Sequence, residues 1–246
     1  MSTPNMDKNL LTLEGVHTHI GAYHILHGVD LVVPRGELTL LLGRYGAGKT
    51  TTLRTIMGLW QASQGRITFG GEDITQLNTP AIAQKNIAYV PENMGIFSDL
   101  TVRENMLLAA RNAQNAGQMD EARLQWIFKL FPAVEKFWNH PAGKLSGGQK
   151  QMLAVSRAIV EPRDLLIIDE PSKGLAPAII QNMIEAFQQL KASGVTILLV
   201  EQNIHFAQQL GDTVAVMDNG RVVHAGRMQA LADDTALQQS LLGLAL

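Results

Sequence analysis

Leu38-Thr39-Leu40-Leu41-Leu42-Gly43-Arg44-Tyr45-Gly46-Ala47-Gly48-Lys49-Thr50 is the stretch on which the reading of this chain turns. Leu38 to Leu42 is short and apolar, as expected of a strand buried on both faces. Gly43 to Thr50 then fits G-x-x-x-x-G-K-[ST] in full, with Arg44, Tyr45 and Ala47 in the variable places. Glycine at 43, 46 and 48 lets the backbone curl so that successive N–H groups point inward at phosphate oxygens. A helix predicted over Lys49–Leu59 adds its positive N-terminal end. Lys49 is placed to reach β- and γ-phosphates, the Thr50 hydroxyl to bind Mg²⁺, and Thr51 beside it to contact the nucleotide. Tyr45 is bulky, but its place contributes mainly backbone.

Alone, this loop defines only a P-loop NTPase, so the class must be narrowed further along the chain. Leu165-Leu166-Ile167-Ile168 predicts a second buried strand, delivering Asp169 to its end as a Walker B carboxylate that supports Mg²⁺. Glu170 follows and suits polarisation of an attacking water. Shortly before that strand stands Leu145-Ser146-Gly147-Gly148-Gln149, ahead of a helical segment over Lys150–Ile159. Ser146 can cap this helix, and the two glycines leave backbone N–H groups able to approach an anion closely.

Between these elements the periodicity predicts strands at Leu10–Val16, Val29–Val33, Ile67–Phe69, Ile87–Val90 and Val195–Val200. Thr101-Val102-Arg103-Glu104 is a capping-box pattern opening a helix. Apolar residues at helical spacing predict another over Glu121–Phe131, stopped by Pro132, and one over Ile179–Leu190. Thr213–Met217 and Arg221–His224 flank Asp218-Asn219-Gly220, a hairpin signature, and short helices are expected over Met228–Leu246.

Composition excludes several classes. The chain has 246 residues, a formal net charge of -2 and no cysteine. It therefore has no basic excess for nucleic acid, no disulfide framework and no thiolate metal site. Met1–Asn9 is polar, unlike a signal peptide, and no apolar run is long enough to span a membrane. A membrane role would come through a partner. His19, His24 and His27 are expected to be solvated or core residues rather than metal ligands.

The phosphate loop, the Ser146 segment and the Asp169 strand, in that order, resemble the motifs of ATP-binding cassette (ABC) proteins, across essentially the whole chain. The resemblance implies an α/β fold: a P-loop NTPase core of ABC ATPase type, with a β-rich edge subdomain and an inserted helical subdomain. As a single domain over 1–246, the core takes 1–94 and 161–246, and the helical subdomain takes 95–160. It implies ATP and Mg²⁺ as ligands, and a second cassette, sister or self, whose phosphate loop is met by Ser146, Gly147, Gly148 and Gln149. Pro171-Ser172-Lys173-Gly174-Leu175-Ala176 takes the place of the D-loop between paired sites. An adenine-stacking aromatic is expected before the phosphate loop; its position falls on Ile20, with Tyr23 nearby either serving instead or acting as a core or edge residue.

Two positions depart from the usual ABC pattern. Glu92 stands where a glutamine is usual and can still bind Mg²⁺ or water through oxygen. Gln202 stands at the switch histidine and can donate to a γ-phosphate without titrating. With Val90-Pro91-Glu92, Gly174-Leu175-Ala176-Pro177 and Val200-Glu201-Gln202-Asn203, the chain is similar to the ATPases of branched-chain amino-acid importers. Asn93-Met94-Gly95 departs from the usual basic run there. Urea or amide importers, and a weakly active nucleotide-regulated partner cassette, are the alternatives. Soluble ABC ATPases acting on DNA or ribosomes would bring a long coiled coil or tandem cassettes, and neither is present. The resemblance further implies two permease subunits, an indirect periplasmic solute-binding protein, and residence at the cytoplasmic face of the inner membrane.

Overall fold

The computed structural model describes residues 8–110 and 119–243. Part of the polar N-terminal segment, residues 111–118 of the expected helical insertion and the last three residues lie outside them.

The chain opens with a hairpin of β1 (Asn9–Ile20) and β2 (Tyr23–Pro34), followed by β3 (Leu38–Gly43) and α1 (Lys49–Ile56). Then come β4 (Ala62–Phe69), β5 (Glu72–Asp73), α2 (Thr79–Ala83) and β6 (Ile87–Val90). Four helices follow: α3 (Val102–Ala109), α4 (Glu121–Leu130), α5 (Pro132–Lys136) and α6 (Gly147–Ala158). The remainder is β7 (Leu165–Asp169), α7 (Pro177–Ala192), β8 (Thr196–Val200), α8 (Ile204–Leu210), β9 (Thr213–Asp218), β10 (Arg221–Arg227), α9 (Met228–Asp233) and α10 (Thr235–Leu242).

These strands form a four-stranded sheet, β2-β1-β4-β5, and a six-stranded sheet, β10-β9-β3-β8-β7-β6. In the larger sheet every pairing is parallel except β9 with β10. Its central strands are covered on both sides, which explains why they read as unbroken apolar runs. Leu40, Leu166, Ile168 and Leu199 join the core under the helices, while Leu41, Ile167, Leu198 and Val200 join the core shared with the antiparallel sheet and α1.

Local signals fix the helix ends. Thr101 and Glu104 form a reciprocal capping box at α3. Helix α6 begins at Gly147, ahead of the predicted Lys150, because Ser146 caps it. Pro132 stops α4 and at the same time opens α5, where its missing N–H costs nothing. Helix α1 ends at Ile56, earlier than predicted, as the chain turns at Met57. No helix among the described residues is long and apolar enough to cross a membrane.

Candidate active site

Strand order assembles the site. Strand β8 lies between β3 and β7, so the turns after all three meet at one edge of the sheet. In parallel sheets, ligands bind beyond the carboxyl ends of the strands. The phosphate loop leaves β3, Asp169 and Glu170 leave β7, and Glu201 and Gln202 leave β8.

At the first turn Gly48 adopts φ 104° and hands the chain into α1. A side chain resists that backbone region, so only glycine turns here without strain. No side chain caps α1, and its first turn carries no acid. The N–H groups of Lys49, Thr50 and Thr51 thus lie at a positive helix end without a capping side chain, suited to an anion. Lys49 is only 5% exposed. Its Nζ donates to the carbonyls of Gly43 at 2.8 Å and Arg44 at 3.0 Å and lies 3.8 Å from Glu170 Oε1. Burial lowers its pKa, while Glu170 and Asp169 pull it back up. The Tyr45 side chain is in solvent, 89% exposed, and the Arg44 guanidinium lies against Gly243 beyond α10.

Asp169 is fully buried, and neither carboxylate oxygen has a hydrogen-bond partner. Burial pushes its pKa up to about 6. Thr50 pulls the other way, although no hydrogen bond of normal geometry closes between them. A buried carboxylate without partners, next to a hydroxyl and a bare helix end, fits a hard divalent cation that takes oxygen ligands.

Glu170 is one of four described non-glycine residues with positive φ, at 48°. Such conformations are strained and gather at functional sites. Its N–H still donates to Val200 O at 2.9 Å, in the manner of the sheet. The left-handed turn then swings its carboxylate toward Lys49 and Gln202. Gln202 Nε2 donates to Glu170 Oε1 at 2.5 Å, so the residue at the switch position is in direct contact with the expected water-activating carboxylate. Glu92, expected to face a metal, has Oε1 2.5 Å from Lys173 Nζ.

The Ser146 segment lies at the start of α6. Ser146 and Gln149 form a reciprocal capping box, and Ser146 and Gly147 are exposed. Gly148 is buried on its side-chain face, where a Cβ would stand 2.6 Å from Ile179 Cγ2. Its missing side chain admits the start of α7. Among the described residues no hydrogen bond joins this segment to the chain's own phosphate loop.

Ile20 and Tyr23 face each other across the turn of the first hairpin, Tyr23 76% exposed. Beside them His24 stacks on His19, ring centroids 4.2 Å apart, and meets His17 through a 3.0 Å contact between ring nitrogens. His27 lies 4.1 Å from His24 by ring centroid.

Two participants escaped the sequence reading. Lys173 was visible only as one residue of the Pro171–Ala176 segment. Glu201 was visible only as part of a motif, yet it is buried and accepts hydrogen bonds from Ser172. No local pattern marks either, because Glu92 for Lys173 and Ser172 for Glu201 come from other turns of the chain.

Fold and site together define a P-loop nucleotide-binding protein with an inserted helical signature. Residues 26–173 match the ABC transporter family model. The chain is 39% identical over 234 residues to the high-affinity branched-chain amino acid transport ATP-binding protein BraG of Pseudomonas aeruginosa, covering 95% of this chain and 100% of that one. It is 32% identical to the probable branched-chain amino acid transport ATP-binding protein LivF of Archaeoglobus fulgidus, covering 90% and 93%. A solved ATP-binding subunit of an ABC transporter superposes with TM-score 0.79 at 31% identity, covering 95% and 96%. A nucleotide-free ATP-binding cassette gives 0.80 at 25%, covering 97% and 100%. The chain belongs to the ABC transporter family and is an ABC-type ATPase cassette.

Proposed function

We propose that this chain is the ATP-hydrolysing motor subunit of an importer for branched-chain or related amino acids. The relatives named for branched-chain amino acid transport support that solute class over urea or amides. The convergence of Lys49, Asp169 and Glu170 at one sheet edge carries the reading, and favours an active motor over a weakly active regulatory cassette.

In this reading the phosphate loop, Gly43 to Thr51, wraps the ATP phosphates, and Lys49 exchanges its carbonyl contacts for phosphate oxygens. Asp169 and Thr50, with Glu92 at the margin, would hold Mg²⁺, whose charge offsets that of the phosphates. Glu170 takes the proton of the attacking water, and Gln202 orients that carboxylate. Ser146, Gly147 and Gly148, at the α6 N-terminus, meet the γ-phosphate of a second cassette, so each chain completes its neighbour's pocket. Loss of the γ-phosphate removes contacts that favour closure, and the pair reopens.

Residues 95–160 serve as the helical subdomain against a core of 1–94 and 161–246. Next to Glu92 a largely apolar cleft of about 730 Å³, lined by Trp60, Tyr89, Pro91, Met94, Leu108 and Arg157, suits docking of a permease subunit. Through two permeases the cassette pair sits at the cytoplasmic face of the membrane, indirectly served by a periplasmic solute-binding protein. Glu170→Gln tests the centre of the proposal: ATP binding persists while phosphate release slows at least about a hundredfold. Unchanged turnover removes Glu170 from the role.

A further inference from the structure

Each oxygen of the Glu170 carboxylate faces a different ammonium group. Lys49 Nζ is 3.8 Å from Oε1 and Lys173 Nζ is 3.7 Å from Oε2. The two lysines are not equivalent. Lys49 is buried in the phosphate loop and is the group that phosphates claim. Lys173 is half-exposed, and its closest partner is Glu92 at 2.5 Å. Glu92 stands between Pro91 and Asn93, both of which line the apolar cleft. Lys173 therefore touches, at once, the loop that borders the cleft and the carboxylate that faces the phosphate loop.

An ion pair this exposed contributes little to stability. Its effect is on charge placement. Without Lys173, the carboxylates of Glu92, Asp169 and Glu170 would share one sheet edge with Lys49 as, among the described residues, the remaining ammonium within 4 Å of Glu170. Asp169 already feels the negative charge of both glutamates. The strained turn at Glu170 leaves its side chain to be held by contacts rather than by regular strand geometry.

We infer that Lys173 is a positioning residue for hydrolysis, tying Glu170 to the Glu92 loop so that movement at the cleft is transmitted to the water-activating carboxylate. This rests on the role proposed for Glu170. Lys173 does not touch the reacting atoms: it fixes where Oε2 points and offsets the extra charge that Glu92 brings close to phosphate.

The test is steady-state ATP hydrolysis, at chain concentrations where the wild type turns over, by Lys173→Met, Lys173→Arg, Glu92→Gln and the Lys173→Met/Glu92→Gln double variant, with Glu170→Gln as reference. Lys173→Met is expected to lower kcat about tenfold with KM for ATP changed less than about twofold, because the loss is in alignment and not in nucleotide binding. Lys173→Arg restores kcat to within about threefold, and the double variant falls clearly short of the sum of the single losses, since both remove one contact. A kcat within about twofold of wild type in Lys173→Met, equal impairment by Arg and Met, or additive losses overturns the inference. If Glu170→Gln leaves turnover intact, it is the base assignment that fails; if Glu170→Gln is slow while Lys173→Met is normal, only the lysine's role is lost.

Discussion

The carboxylate of Glu201 accepts two hydrogen bonds from Ser172, from the backbone N–H at 3.0 Å and from the hydroxyl at 2.9 Å. The same side chain accepts the N–H groups of Gln202 at 3.1 Å and Asn203 at 3.2 Å. One buried side chain thereby fixes the turns beyond β7 and β8 relative to each other. Burial pushes its pKa up, and these donors pull it down.

Removing that acceptor strands three backbone donors. Glu201→Ala is expected to destabilise the chain by about 3–5 kcal/mol, and Glu201→Gln by less because one amide oxygen still accepts. Urea unfolding of both variants checks the order; equal losses would remove the hydrogen-bond explanation.

Asp169 gives the metal-free chain a pH dependence of definite sign. Its folded pKa of about 6 lies above the ordinary carboxylate value, so the folded state binds the proton more tightly than the unfolded one. The contribution of Asp169 to stability is fully present below the unfolded carboxylate pKa and is lost as pH rises through about 4 to 6, by up to about 3 kcal/mol. In chelator, Asp169→Asn should therefore be more stable than wild type at pH 8, with the gap roughly halved at pH 5. Mg²⁺ should stabilise the wild type and not the variant, since the cation needs the ionised carboxylate. Thermal unfolding at the two pH values, with and without Mg²⁺, measures both.

Gly148 is held by packing. Gly148→Ala places a methyl 2.6 Å from Ile179 Cγ2 and should cost about 1–3 kcal/mol by overpacking. Adding Ile179→Ala should recover part of that loss. Strictly additive losses in chemical denaturation would contradict the contact.

Ser146→Ala removes one half of the α6 capping box and should cost about 1 kcal/mol. Ser146→Asp keeps a cap acceptor and should restore stability. Because Asp puts a negative charge where the partner's γ-phosphate is proposed to lie, ATP-driven pairing, read by analytical ultracentrifugation, should not be restored.

The sequence by itself determined the elements and the class. Leu38–Leu42, Leu165–Ile168 and Val195–Val200 read as buried strands because runs so apolar lose too much in water. The glycines before Lys49 dictate a loop whose amides turn inward, and Thr101 and Ser146 mark helix starts through the hydrogen bonds their side chains make. All of these are interactions within a few residues. What the tertiary structure alone decided are contacts between chain segments far apart: β8 inserted between β3 and β7, Gln202 and Lys49 both at Glu170 Oε1, Glu201 under Ser172, Lys173 on Glu92, and Ile179 over Gly148. Local propensity is blind to strand order, and strand order chooses which turns meet. The charges at the site take their strength from that meeting, since burial and proximity, not residue type, set how a carboxylate behaves.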